Sequence, residues 1–137
     1  MITSPWDQGT RLFEVALDIR SAAHELIAAN IANEETPGYK ARHIPFRETL
    51  DAVLSGHHPL EPHNTHPRHI PVADEQGRLF HFATREIAGS GPDGNTVSLE
   101  KEMAMMAENA VLYLAVNQFL AGRFDGWRAA IDEGRRG

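Results

Sequence analysis

His63, His66 and His69 recur every three residues in "HNTHPRH", and imidazoles at that spacing invite a metal. In a polyproline II helix a period of three places all of them on one face, where zinc or nickel would accept them. The surrounding chain argues otherwise. Residues 55–95 hold five of the eight prolines and six of the eight histidines, with few large apolar side chains and no acidic frame around the tract. Extended, Pro-rich chain is a poor way to hold a coordination site, so the histidines read as part of a solvated connector and no metal or other cofactor is expected. "GSGPDG", residues 89–94, matches G-x-G-x-x-G letter for letter. A dinucleotide site needs that loop inside a βαβ unit, and here a helical pattern follows to the end of the chain. It reads as a turn. The five serines lie in no nucleophile-elbow context, and His24 has only Asp18 and Glu25 of its own helix nearby. No enzyme is expected, and no small-molecule substrate.

The totals narrow the classes further. The 137 residues suffice for one domain, and the formal charge is −6 with acids outnumbering bases in each third of the chain. Without a basic patch, nucleic acid is not an expected partner. The absence of cysteine excludes disulfides and thiol chemistry. "MITSPWDQGTR" has neither a basic leader nor an apolar core, so no cleavable secretory signal is expected. The longest charge-free stretch, from Asn109 to Gly122, is shorter than the roughly 18–20 residues that span a bilayer.

The elements that must carry any function are two long helices. The first is predicted from about Asp7, as a candidate cap, to Asn33. Leu12, Ala16, Ile19, Ala23, Leu26 and Asn30 keep alternating spacings of four and three, with Phe13, Leu17, Ile27 and Ile31 as a second stripe. The second is predicted after the N-cap candidate Ser98. Leu99, Met103, Met106, Ala110, Tyr113, Asn117, Leu120, Phe124, Trp127 and Ile131 hold the same spacing for more than four heptads. Met105, Leu112, Val116 and Phe119 form its second apolar face, and Gly122 and Gly126 predict fraying or a bend. Asn30 and Asn117 both fall on apolar seams, where a polar residue can fix register. The expected fold is mainly α: two terminal helices packed as an antiparallel coiled-coil hairpin. Residues 1–54 hold the first helix and an extended segment. Residues 55–95 are a Pro/His-rich insertion, irregular with a short β-hairpin around "RLFHFATREI", and residues 96–137 hold the last helix.

Between the first helix and the insertion lies "AANIANEETPGYKAR". Pro37 removes Thr36 from the α region, so the helix stops by about Glu35, and Pro-Gly suits a type II turn from Thr36 to Tyr39 with Gly38 at positive φ. Asn30, Asn33, Glu34 and Glu35 are poor choices for a helix end whose dipole is already negative. Local helix stability did not select them.

Together, "ALDIRSAAHELIAANIANEETPGYKARHIPF" and "NTVSLEKEMAMMAENAVLYLAVNQFLAGRFDGWRAAI" resemble the two terminal signatures of flagellar basal-body rod proteins. The turn Thr36-Pro37-Gly38-Tyr39 follows Asn33 after two residues with no insertion. That and the overall length suit a short proximal rod protein, whereas C-type proximal rod proteins resemble the region but carry a longer Gly-containing turn. The likeness covers roughly the first 50 and last 40 residues and leaves the middle unassigned. It implies a structural subunit of a hollow helical rod that joins the inner-membrane ring to the distal rod and transmits torque. Implied partners are other rod subunits, the adapter joining rod to MS ring, the MS ring, and the flagellar type III export apparatus. The implied location is the periplasmic rod of the basal body, reached without a cleaved leader. Asn30, Ile31, Ala32, Asn33, Thr36, Pro37, Gly38 and Tyr39 then become an assembly motif, and Leu12, Ile19, Leu26, Leu99, Met103, Met106, Tyr113, Asn117, Leu120 and Phe124 the helix-packing set.

Overall fold

Two helices carry the fold in the computed structural model, which describes residues 5–55, 72–73, 79–80, 84–87 and 92–135. Helix α1 spans Pro5–Ala32, about 42 Å at 1.5 Å per residue, and ends where Pro37 and the turn behind it forbid continuation. It begins two residues before Asp7, with a proline in its first turn, where the missing N–H costs nothing. Strand β1, Arg42–His43, and helix α2, Phe46–Leu54, follow. Strands β2, Val72–Ala73, and β3, Leu79–Phe80, pair antiparallel with Val72 opposite Phe80. Strand β4, Arg85–Glu86, crosses back to pair antiparallel with β1, Arg42 opposite Glu86 and His43 opposite Arg85. Helix α3, Leu99–Gly134, is about 54 Å long and continues through Gly122 and Gly126, where fraying or a bend was expected.

The dominant packing is α1 on α3. Gly9 lies against the Arg123 guanidinium, the Phe13 and Phe119 rings stack with centroids 6.5 Å apart, Arg20 bonds Asn109, and Asn30 bonds Glu102. Partner numbers on α3 fall as those on α1 rise. Gly9, poorly suited to a helix interior, leaves the room that the arginine occupies. Among the described residues the buried apolar core is small: Ala16, Ile19, Ile27 and Ala41. Leu26 and Ile31 are half-buried, and Leu12 is marginally exposed.

Several expectations change in the folded chain. Residues 46–54, taken for extended chain, form α2, which packs on α1 with Thr49 buried and its hydroxyl donating to Pro45 O at 2.9 Å. Ser98 sits at the N-cap of α3, yet its side chain makes no capping bond. The seam of α3 is the largest change. Its buried positions run one residue behind the expected ones: Glu102 and Asn109 are buried, and Val116, Arg123, Met105 and Leu112 are half-buried. Leu99, Met103, Tyr113 and Phe124 are exposed, while Met106, Asn117 and Leu120 stay half-buried. Apolar residues surround α3 nearly all the way round, so spacing alone could not select the inward face. The polar side chains that α1 can satisfy did. Met103, Val111 and Leu114 point instead to the outside of the pair. Of the cluster Leu79, Phe80, Phe82 and Ile87, Leu79 and Phe80 form β3, Ile87 is exposed, and Phe82 lies outside the described residues. His63, His66 and His69 lie outside the described residues.

Candidate functional site

The chemistry of this molecule concentrates where α1 ends and α3 begins. The last turn of α1 tightens, with Asn33 N–H donating to Asn30 O at 3.1 Å and Glu34 N–H to Ile31 O at 3.2 Å. A helix end still leaves carbonyls without partners, and here one side chain from across the chain collects them. The Asn95 amide nitrogen lies 3.0 Å from Asn33 O, 2.6 Å from Glu34 O and 2.9 Å from Thr36 O. Its two hydrogens are shared among three acceptors. Asn95 is itself fixed by two local turns: its N–H donates to Asp93 Oδ1 at 3.1 Å, and its Oδ1 accepts from Val97 N–H at 2.7 Å. Asn33 stays within its own segment, donating to Ala29 O at 2.8 Å and accepting from the Thr36 hydroxyl at 3.2 Å.

The turn beyond is bound to the same stretch, residues 92–97, which form a strap leading into α3. Tyr39 N–H donates to Thr36 O at 3.2 Å, and Gly38 takes φ +73°. Gly38 N–H donates to Asp93 O at 3.1 Å across to a second turn, in which Gly94 has φ +79°. The "PDG" that ends "GSGPDG" is a turn, and it docks against "TPGY". Lys40 Nζ donates to Gly94 O at 2.6 Å, Thr96 N–H to Tyr39 O at 3.0 Å, and Ala41 N–H to the Thr96 hydroxyl at 2.8 Å. A Cβ at residue 38 would meet open space, so Gly38→Ala isolates the backbone cost of the left-handed conformation. A loss of about 1–2 kcal/mol is expected, read as a lower midpoint in thermal unfolding.

Asn30, 0% exposed, is the centre. Its Oδ1 accepts from Arg42 N–H at 3.1 Å and from the Tyr39 hydroxyl at 3.4 Å. Its Nδ2 donates to Arg42 O at 2.9 Å and to Glu102 Oε2 at 3.2 Å. The Glu102 carboxylate, only 2% exposed, receives the His43 Nε2 proton at 2.9 and 3.1 Å from its two oxygens. Outside this layer Arg42 and Glu86 pair at 3.5 Å across β1 and β4. Burial, more than the opposing Arg42 charge, pushes the Tyr39 hydroxyl pKa up, so the phenol stays a donor.

A second polar layer lies seven residues further along α3. Arg20 Nη1 donates to Asn109 Oδ1 at 3.3 Å, Asn109 Nδ2 returns a bond to Arg20 O at 2.9 Å, and the guanidinium sits 3.9 Å over the Phe46 ring of α2. Burial lowers the Arg20 pKa, and Glu108 opposes that shift. Asn117, expected on the seam, donates to Tyr113 O at 3.0 Å within its own helix. The cross-helix asparagine is Asn109.

These groups are occupied with one another, an arrangement that suits positioning. Among the described residues no group of His, Asp and Glu could hold a metal ion, and no helix is long and apolar enough to cross a membrane. Of the expected motif, Asn30, Asn33 and Tyr39 take part through their side chains, and Gly38 through its backbone. Thr36, though exposed, takes part through its hydroxyl and its carbonyl, while Ala32 and Pro37 are exposed and Ile31 is half-buried. Asn95, Thr96, Glu102, Asn109, Arg20 and His43 escaped the sequence reading. Glu102 and Asn109 carried a signal, being one heptad apart, and Asn95 another, following an Asp-Gly turn.

No family model matches the chain. Individual relatives do. Over 123 residues it is 33% identical to the flagellar basal body rod protein FlgB of Proteus mirabilis (strain HI4320), covering 87% of this chain and 90% of the relative. The protein of that name from Escherichia coli (strain K12) is 30% identical over 132 residues, covering 93% and 96%. The Bacillus subtilis (strain 168) protein is 30% identical over 122 residues, covering 89% and 92%. The alignments run through nearly the whole of both partners, so the likeness includes the strap and both long helices. The chain belongs to the FlgB family of flagellar basal body rod proteins.

Proposed function

We propose that this chain is a structural subunit of the proximal part of the flagellar rod, working through the geometry of its helices and without catalysis. The observation that carries this is its likeness, at 30–33% identity over nearly full length, to flagellar basal body rod proteins from distant bacteria. On this reading α1 and α3 act as an antiparallel coiled-coil hairpin, and neighbouring rod subunits cover what the hairpin leaves open. Val111 and Leu114, 66% and 60% exposed, lie on the stretch of α3 from Asn109 to Gly122 that carries no charge, and Met103, 59% exposed, lies before it. Apolar surface of that kind marks a protein contact.

The subunit would lie in the periplasmic rod, between the MS ring with its rod adapter and the distal rod. It would pass torque outward after delivery by the flagellar type III export apparatus. The clasp between α1 and α3, formed by Asn30, His43, Asn95 and Glu102, would hold the two helices at fixed offset under that load. Deleting the gene and fractionating cells that carry a tagged copy is the test. Loss of flagella, with the tagged protein in purified basal bodies, is expected; normal flagellation in the deletion strain would overturn the reading. The histidine tract has no part in it. Replacing His63, His66 and His69 together by Ser is expected to leave swimming unchanged, checked by motility in soft agar alongside zinc titration of the purified protein.

A further inference from the structure

We propose that Arg20 is the positioning residue of α2: α3 sets its guanidinium, and the guanidinium sets where α2 lies, so the short helix seats only on a helix pair already in register. Three helices meet at this side chain. Arg20 belongs to α1, Asn109 to α3, and Phe46 opens α2. Arg20 Nη1 donates to Asn109 Oδ1 at 3.3 Å, and Asn109 Nδ2 donates back to Arg20 O at 2.9 Å. The buried amide thus holds both the tip of the arginine and its backbone. The central carbon of the guanidinium lies 3.9 Å from the centre of the Phe46 ring, close enough for the cation to be drawn to the ring face.

Helix α2 needs such a contact. It is nine residues long, too short to persist in water without tertiary cover. It packs on α1, and its apolar positions Phe46, Leu50 and Val53 are only half-buried. Thr49, its one buried residue, donates its hydroxyl to Pro45 O within the same turn. Apolar burial of that kind is non-directional, whereas the guanidinium over Phe46 fixes a position.

The residue type follows from the geometry. A lysine ammonium is a point charge on a flexible stem, but a guanidinium is flat, so its edge can meet Asn109 while its face lies on Phe46. Arg20 Nε is buried and has no acceptor among the described residues. A donor left in that state is a cost, which means that planar fit and not hydrogen-bond count selects arginine here. Register enters because Arg20 and Asn109 are single positions on two long helices. Sliding α3 along α1 by one residue, about 1.5 Å, would carry Oδ1 out of reach and leave the guanidinium free to turn. Since the chain enters the Pro/His-rich insertion at Ser55, the end of α2, Arg20 also fixes the point from which that insertion departs. None of this depends on the rod reading.

Hydrogen exchange on the full-length chain is the experiment, with amides 49–55 reporting α2 and amides 103–109 reporting the helix pair. Asn109→Ala is expected to speed exchange across 49–55 about tenfold, although the substitution lies on another helix. Asn117→Ala makes the same change where the amide bonds within α3, and should leave 49–55 unaltered. Arg20→Lys keeps the positive charge and should match Asn109→Ala. The double variant should be no faster than either single one, because both act through one guanidinium. If Asn109→Ala or Arg20→Lys does not fold, Phe46→Leu keeps an apolar side chain and removes the ring; it should speed 49–55 to the same degree and leave 103–109 unchanged. Unaltered exchange at 49–55 in a folded Asn109→Ala, Arg20→Lys or Phe46→Leu variant, an equal effect of Asn117→Ala, or rates that multiply in the double variant would each overturn the inference.

Discussion

Leu114→Asp is expected to leave the isolated subunit folded and to abolish flagella. Leu114 is 60% exposed on the outward side of α3, so within one chain a carboxylate there remains in water and costs little. In an assembled rod the position would be covered. An unpaired carboxylate enclosed in an apolar contact costs several kcal/mol, repeated at every copy, which is enough to stop assembly outright. The measurement has two arms: circular dichroism and thermal unfolding of the purified variant, and flagellar counts in cells that express it at the normal level. Normal flagella with Asp at this position would mean that the outward face of α3 is not covered by neighbours. Phe119→Asp and Tyr113→Asp should also block assembly, but Phe119 stacks on Phe13, so its loss mixes pairing within the chain with contacts outside it.

The split between inward and outward faces also marks what a single sequence discloses. Both long helices were legible from their heptads, and the turn at Thr36 to Tyr39 from Pro37 and Gly38, because local sterics decide such features. The facing of α3 was not. Two heptad frames compete there, 103-110-117-124 and 102-109-116-123, and the first is the more apolar. The second packs inward since Glu102 and Asn109 find Asn30, His43 and Arg20, and those partners come from residues 59 to 89 positions away. Hydropathy ranks the frames wrongly when the inward one is polar and satisfied. Helix α2 carried a weak signal: Pro45 before it, Glu48 in its first turn, and Phe46, Leu50 and Val53 at 4-3 spacing, short enough to pass for extended chain. Strands β1 and β4, two residues each, have no period to read. They exist because the strap brings them together.

The assembly motif itself shows why residues that weaken a helix end can be right for a fold. Asn30→Ala is expected to lower stability by about 3 kcal/mol, although it replaces a middling helix former by the best one. The propensity gain is about half a kcal/mol. Against it stand four groups that lose a partner, Arg42 N–H, Arg42 C=O and the Tyr39 hydroxyl, all part-buried, and one buried oxygen of Glu102. An unsatisfied buried polar group costs about 1–3 kcal/mol, and some of these would relax toward others, so the sum is less than additive. Glu102 keeps His43 as its partner, which limits the damage to the carboxylate. The check is chemical and thermal denaturation of the wild type, Asn30→Ala, Glu102→Gln and the double variant. A fall in Tm of about 10 °C for Asn30→Ala is expected. The double variant should fall short of the summed losses by at least about 0.5 kcal/mol, since the two side chains share one bond. Additive losses would mean that Asn30 and Glu102 act separately, and an Asn30→Ala variant as stable as the wild type would remove the clasp's claim to hold α1, the strap and α3 together.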